Sequence, residues 1–424
     1  IPQAVLGAAL FGMALNFQIK ANHIQISYYL AIVIFCYAIG LFIWLVADRE
    51  RRHGLYKFFA ASFLLLFLGL VGIGANANKL IPMYRYSHQT MRGGSELASE
   101  QTSDNAGKSK GLDIEYATSW SYGWQELPNL MIPDFNGGSS AQEMNPSKSE
   151  TVKVLKKYGQ PNVRQTAKSL PLYWGPQPFT AGPLHMGAII FLFILGLLLC
   201  EGKDKWWILV ATIIAIFLGL GKNFMPFTRF WYEYMPFYSK FRTVSMALVA
   251  LQVTLPMLGF IVLDKILKGG VDFAKFKKHG TVALALTAGV CLLCWIFPGI
   301  AGDFTADMDS QYPSELVAAF QQDRQSLLSH DAMMSFWLIV FTYLIILWTY
   351  SKPKEGQNKS ANVRRLSAGL AISALVLLNM FAVGKRYLNS DHFTTPKNFN
   401  GQFAQRPVDE AILADEELDY RVLD

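Results

Sequence analysis

The chain has 424 residues, 52% of them hydrophobic, 14% aromatic and only 16% charged. Soluble domains carry roughly 25% charged residues, so this composition excludes a water-soluble globule and indicates a membrane protein. The formal net charge of +7 comes with no finger spacing, glycine-rich RNA motif or soluble basic domain, which excludes nucleic acid as a partner.

Apolar runs near the roughly 20 residues that cross a bilayer predict about nine membrane helices. They fall at 1–17, 28–47, 57–76, 184–200, 206–221, 244–264, 281–299, 334–350 and 366–384. The expected fold class is an all-α polytopic membrane protein. Its parts are three helices in 1–76, a long loop 77–183, six helices in 184–384 and a tail 385–424. The connections DRERRHGLYK, EGKDK, DKILKGGVDFAKFKKHG and SKPKEGQNKSANVRR are short and basic. Basic short loops stay cytoplasmic, which puts 77–183 and the tail on the outer face. Cys36, Cys200, Cys291 and Cys294 all lie in apolar runs, and the CxxC of Cys291 and Cys294 reads as packing.

The first outer connection, QIKANHIQISYY, crowds Gln18, Lys20, His23, Gln25, Tyr28 and Tyr29 between two apolar helices. It reads either as an interfacial connector or as the rim of a cavity where His23, Gln25 and Tyr29 bind a polar ligand. YRYSHQTMRGG, at 84–94, sets Arg85 and Arg92 beside two glycines, either as a turn against anionic lipid or as an anion site. In the long loop, 95–110 and, more weakly, 142–149 are polar and expected to be mobile. The stretch 151–158 is expected to form a short amphipathic helix.

Between the mobile pieces lies GLDIEYATSWSYGWQELPNLMIPDFNGG, at 111–138. It is too apolar for a solvated linker and too broken by glycine and carboxylates for a span, so it should dock on the bundle at the interface. Trp120, Trp124 and Ile132 are expected to be mostly buried, with Trp120 and Tyr122 as candidate substrate-binding residues. Asp134 is the best-placed carboxylate for a general base, its alternative role being an Asx turn.

MPFTRFWYEYMPFYSKFR, at 225–242, holds eight aromatics with Arg229, Lys240 and Arg242 among them. It is either a rigid interfacial anchor or a groove where Arg229, Tyr234 and the bidentate fork of Arg242 take a lipid phosphate. DFTADMD, at 303–309, lacks the spacing of a metal loop and reads as solvated; His330-Asp331 reads as the cap of the helix at 334. No GxSxG, HExxH or Walker sequence occurs. No metal ligand set and no definite cofactor are implied, with a divalent cation left open. The chain reads as a piece of a longer protein, starting inside an apolar helix and stopping at a strand-like YRVLD.

KANHIQISYY, YATSWSYGWQELPNLMIPDFNGG and YMPFYSKFRTVS resemble the bacterial YfhO-like membrane proteins, the Bacteroidetes-type branch most closely. The resemblance runs in order from Leu6 to about Leu423, and the loop block is its most specific part. It implies a GT-C-like helical bundle in the bacterial inner membrane. Such a protein would move a sugar from a polyprenyl-phosphate carrier onto an envelope polymer or glycolipid at the outer face. It also implies further helices before Ile1, with an acidic outer loop suited to the catalytic base, and an outer domain beyond the end. The family often has proline soon after its Phe-Arg, whereas this chain has Thr243 and Val244 after Phe241-Arg242. The competing readings are an envelope-lipid transporter or flippase, and a non-catalytic scaffold for an envelope enzyme.

Overall fold

A computed structural model describes residues 2–93, 111–351 and 358–414. The expected mobile stretch 95–110 lies outside the described residues. The helices are α1 (Pro2–Lys20), α2 (Ile24–Val46), α3 (Leu55–Gly74), α4 (Ala77–Ser87), α5 (Ile114–Ala117), α6 (Glu150–Lys157), α7 (Val163–Thr166) and α8 (Ile189–Leu199). They continue with α9 (Lys203–Leu220), α10 (Met225–Tyr234), α11 (Leu251–Leu267), α12 (Phe273–Ile296), α13 (Ser314–Thr349), α14 (Asn358–Tyr387), α15 (Pro396–Gly401) and α16 (Pro407–Leu413). Among the described residues there is no named strand, only a bridge between Gln142 and Leu170. The chain divides into two compact units, Ile1–Met380 and Phe381–Asp424.

Among the described residues, seven helical stretches are long and apolar enough to cross a membrane: Ile24–Val46, Arg52–Gly74, Lys203–Tyr234, Val244–Leu267, Phe273–Ile296, Ser314–Thr349 and Asn362–His392. This is a multi-pass, all-helical membrane protein. Its surface agrees: Phe63, Leu66 and Leu70 on α3 are 72, 67 and 65% exposed, apolar area that acyl chains would cover. The other two expected spans fall on α1, of 19 residues, and α8, of only 11. At 1.5 Å per residue α8 covers about 16 Å, half a hydrocarbon core. Its backward extension is blocked because the Leu130 carbonyl takes the amides of Met186 and Gly187, at 2.8 and 3.1 Å. α1 lies directly against α3, where a Cβ on Gly72 would stand 2.2 Å from the carbonyl oxygen of Gly12.

The basic connections meet at one end of the bundle. Lys275 pairs with Glu201 at 2.8 Å, and Lys265 Nζ donates to the Leu199 carbonyl at 3.1 Å. Lys203 Nζ lies 5.7 Å from the Trp44 ring centroid, and Tyr350 OH donates to the Val271 carbonyl at 3.1 Å. The long loop lies at the opposite end.

α13 corrects two expectations. It runs 36 residues, about 54 Å, from Ser314 rather than from 334. Asp331 is therefore a buried mid-helix residue, not a cap. The first half of α13 projects past the loop end of the bundle and carries two buried anchors. Asp323 accepts from Ser149 Oγ (2.5 Å) and the amides of Glu150 (2.7 Å) and Thr151 (3.1 Å), setting a carboxylate on the N-terminus of α6. Arg324, fully buried, forks onto Asp309. The stretch 303–309 is thus only partly solvated: Asp303 and Asp307 are exposed, whereas Asp309 is 5% exposed. Residues 142–149 are likewise held, by the amides of Gln142 and Met144 on the carbonyls of Leu170 and Ala167, both at 2.9 Å.

In the second unit, Thr395 Oγ1 accepts the Asn398 amide at 3.3 Å at the start of α15. Arg406 forks onto Asp409 at 2.9 and 3.0 Å at the start of α16.

Candidate functional site

Residues 111–124 are sewn by main-chain bonds to the C-terminal end of α9 and to the segment after α10. The Leu112 amide donates to Ser239 O (2.9 Å) and the Tyr122 amide to Gly219 O (2.9 Å). The Thr243 amide donates to Ala117 O (3.0 Å) and the Ser245 amide to Trp120 O (3.2 Å). Tyr232 OH donates to the Leu112 carbonyl. Gly221 makes the closest approach: at φ +48, its Cβ would stand 2.1 Å from Ser121 Oγ, which takes the Lys222 amide at 2.9 Å.

Beside this stitching lies a widely open cavity of about 390 Å³, lined by α4, the turn at Met91–Gly93, Leu112, Tyr116 and Arg242, with both arginines exposed. That volume lies within the roughly 300–1,000 Å³ range of small-molecule sites. Arg92 and Arg242 are its cations, and Met83, Met91 and Leu112 supply apolar wall; among the described residues none of its lining is a carboxylate. Lys240 Nζ reaches the Arg92 carbonyl at 3.4 Å. A guanidinium pair over apolar wall, without a competing carboxylate, suits a phosphate carrying a hydrocarbon tail.

Arg242 is held at two points. Its Nη1 donates to Tyr116 OH at 2.8 Å. Its carbonyl accepts Gln25 Nε2 at 2.8 Å, and the same nitrogen lies 3.0 Å from Tyr29 OH. The following residue, Thr243, sits at φ +58, a left-handed conformation that a β-branched side chain rarely adopts. Proline, fixed near φ −65°, cannot stand at 243 in this backbone, and it would also lack the amide that bonds Ala117.

The other expected site residues are elsewhere. Gln25 and Tyr29 are 9 and 2% exposed and lie off this cavity's wall, supporting Arg242 from behind. His23 begins α2 as an exposed residue off the cavity wall, and Arg85 and Arg229 are exposed and also off it. Tyr234, 69% exposed, packs on Phe230 with centroids 5.4 Å apart. Trp120 is half-buried, edge-on to Phe179 at 5.1 Å. Trp124 is 49% exposed, against expectation, because its Nε1 reaches out to the Asn223 carbonyl at 3.2 Å. Ile132 has no exposed surface.

Asp134 is 1% exposed, and its amide donates to Asp331 Oδ2 at 3.1 Å. It belongs to a polar cluster under the loop, off the cavity wall. There Ser335 Oγ donates to Met131 O at 2.8 Å, and His185 lies 3.4 Å from Asn129 O and 2.9 Å from Asn379 Oδ1. Tyr122 is buried as well, donating to the Glu126 carbonyl at 2.9 Å. The Glu126 carboxylate is buried without a cation. It accepts from the Gly123 amide (2.7 Å), Tyr173 OH (2.7 Å) and Gln177 Nε2 (3.0 Å). Burial raises its pKa above the ordinary glutamate value, and these three donors only partly offset that.

Tyr116, the direct support of Arg242, carried no signal in the sequence beyond membership of the loop block. Among the described residues, no group of three or more His, Cys, Asp or Glu side chains is arranged to hold a metal ion. No protein-family model matches the chain, nor does any curated protein or solved structure.

Proposed function

We propose that the cavity between Arg92 and Arg242 binds the phosphate of a polyprenyl-phosphate-linked sugar. On this reading the chain belongs to a GT-C-like glycosyltransferase acting on an envelope polymer or glycolipid at the outer face of the bacterial inner membrane. The observation that carries it is the pair of arginines on one cavity with apolar wall and, among the described residues, no carboxylate. In glycosyl transfer the acceptor hydroxyl attacks the anomeric carbon and the lipid phosphate departs. Two guanidinium groups would stabilise the charge that grows on that leaving group. Asp134, buried and off the wall, is not placed to take the acceptor proton in this cavity.

The same reading counts α1 and α8 with the seven longer helices as nine spans and sets the basic end in the cytoplasm. Cysteine introduced at Lys277 should then resist an impermeant thiol reagent in intact cells; strong labelling would reverse the orientation. A second reading, passage of an envelope lipid, is supported by α8 stopping half-way, where the chain bonds to Leu130 in the loop whose Asp134 amide meets Asp331. Purified protein in lipid nanodiscs separates these. Binding of a polyprenyl-phosphate sugar, but not of the matching polyprenol, with sugar release on adding acceptor, supports transfer. Movement of the intact lipid between leaflets without release supports passage. Equal binding of phosphate and alcohol sinks the phosphate site.

A further inference from the structure

Tyr116 and Arg242 are set side by side by their backbones. The Thr243 amide bonds the Ala117 carbonyl at 3.0 Å, one residue beyond each of them. α5 is fixed in turn: Asp113 Oδ1 accepts the Tyr116 amide at 2.9 Å, and Ser119 Oγ donates to the Tyr116 carbonyl at 3.0 Å. The phenol, 36% exposed, therefore meets the cavity from a clamped backbone, beside the guanidinium. A donor positioned in advance costs little reorganisation when a ligand arrives.

The bond between the two side chains has only one direction. A guanidinium donates and cannot accept, so at 2.8 Å the Tyr116 oxygen is the acceptor. Its own proton is thereby turned away from Arg242, and among the described residues no acceptor takes it. The guanidinium also draws electron density from the phenol oxygen, which makes the O–H a stronger donor. Two other hydroxyls on the wall face the opposite way. Ser87 Oγ donates to the Tyr84 carbonyl at 2.7 Å and Thr90 Oγ1 to the Ser87 carbonyl at 3.0 Å, so both meet a ligand with lone pairs. Resting on the reading that Arg92 and Arg242 hold the carrier phosphate, we infer that the Tyr116 hydroxyl is a third donor to that phosphate. In transfer the acceptor oxygen bonds the anomeric carbon as the bond from that carbon to the phosphate oxygen breaks, its electron pair staying on the phosphate. The phenol keeps its proton and stabilises the added charge by hydrogen bonding.

The test titrates the whole chain in nanodiscs with a polyprenyl-phosphate sugar and, as control, the matching polyprenol. Tyr116→Phe should weaken the phosphate ligand about three- to tenfold and change polyprenol by less than about twofold. A residue that only positions Arg242 has nothing to act on once that side chain is gone, so the same change is then made in Arg242→Ala. There Tyr116→Phe should still weaken the phosphate ligand about threefold or more. A ring-fluorinated tyrosine at 116, used below the pH at which it ionises, gives a second measurement. Fluorine makes the phenol oxygen a poorer acceptor for Arg242 and its proton a better donor, so binding should tighten, whereas support of Arg242 alone gives weaker binding. The proposal is overturned by a Tyr116→Phe effect that vanishes in Arg242→Ala, by unchanged or weaker binding with the fluorinated residue, or by an equal loss of polyprenol. Failure of the underlying site looks different: Arg92→Ala and Arg242→Ala would both bind the phosphate ligand as wild type does.

Discussion

The guanidinium of Arg324 meets both carboxylate oxygens of Asp309, at 2.6 and 2.8 Å, where Arg324 has no exposed surface. Its remaining donors reach the carbonyls of Leu172 (3.0 Å), Phe304 (2.7 Å) and Pro171 (2.8 Å). One side chain on α13 thus fastens two separate connections, 170–174 and 303–309, to the projecting half of the helix. The cost of burying both charges is offset only while every donor is matched.

Removing either partner leaves the other buried and unpaired, so Arg324→Ala or Asp309→Ala should each cost about 3–5 kcal/mol. The double variant should cost less than the sum, since it leaves no orphan charge. Denaturation of the purified variants measures this. Additive losses would show that the two residues act independently.

Glu126 gives a pH dependence whose sign follows from burial. Its pKa in the fold lies above the ordinary value, so the unfolded chain holds this proton less tightly than the native one. Its stabilising contribution is complete below the ordinary glutamate pKa and is lost as pH rises through the raised folded value. Limited proteolysis within 111–139 should therefore accelerate over that interval in wild type. Glu126→Ala orphans the donors of Gly123, Tyr173 and Gln177, should cost about 1–3 kcal/mol, and should flatten the pH dependence. An unchanged pH profile in the variant would remove Glu126 as its source.

At Thr243 the prediction separates backbone from side chain. Glycine accepts φ +58 without strain, so Thr243→Gly should fold and keep Arg242 in place. Thr243→Pro should displace Arg242 and lower expression, since it fits neither the angle nor the Ala117 bond. Comparing yield and melting of the two variants checks this; equal behaviour would mean the left-handed turn is not required.

Much of the bundle was legible in the sequence because lipid-facing helices announce themselves by long apolar runs, as at 24–46 and 273–296. The early start of α13 was not, because Ser314–His330 is polar and its burial depends on partners such as Asp309 and Ser149 that lie far away in the chain. The Asp134 turn was equally opaque: DFNGG fits a surface Asx turn locally, yet Asp331 draws it into the interior. Arg92 and Arg242 were singled out as cations near aromatics, but their sharing of one cavity depends on the 111–124 block being sewn to 219–245.

The Arg92–Arg242 pair allows the charge and the shape of the site to be separated. Arg242→Lys keeps one positive charge but loses the fork and the bond to Tyr116, so it should weaken binding of a polyprenyl-phosphate sugar while the protein still folds. Arg242→Ala should weaken it further. Arg92→Ala should act in the same direction, and Arg92→Ala with Arg242→Ala should remove the preference for the phosphate over the alcohol. Tyr116→Phe removes the bond that holds Arg242 but leaves its charge and fork, and should cost less than Arg242→Lys. Lys240→Ala should have little effect, since its ammonium sits at the Arg92 carbonyl rather than on the cavity wall. Each arginine forms a charge-assisted contact worth about 1.5–3 kcal/mol once a phosphate is seated on it, so each loss should appear as a roughly 10- to 150-fold rise in Kd. Titration of the variants in nanodiscs reads these ratios directly. If all bind as wild type does, the cavity is not the phosphate site; if only Arg92→Ala weakens binding, the headgroup sits on the α4 side alone.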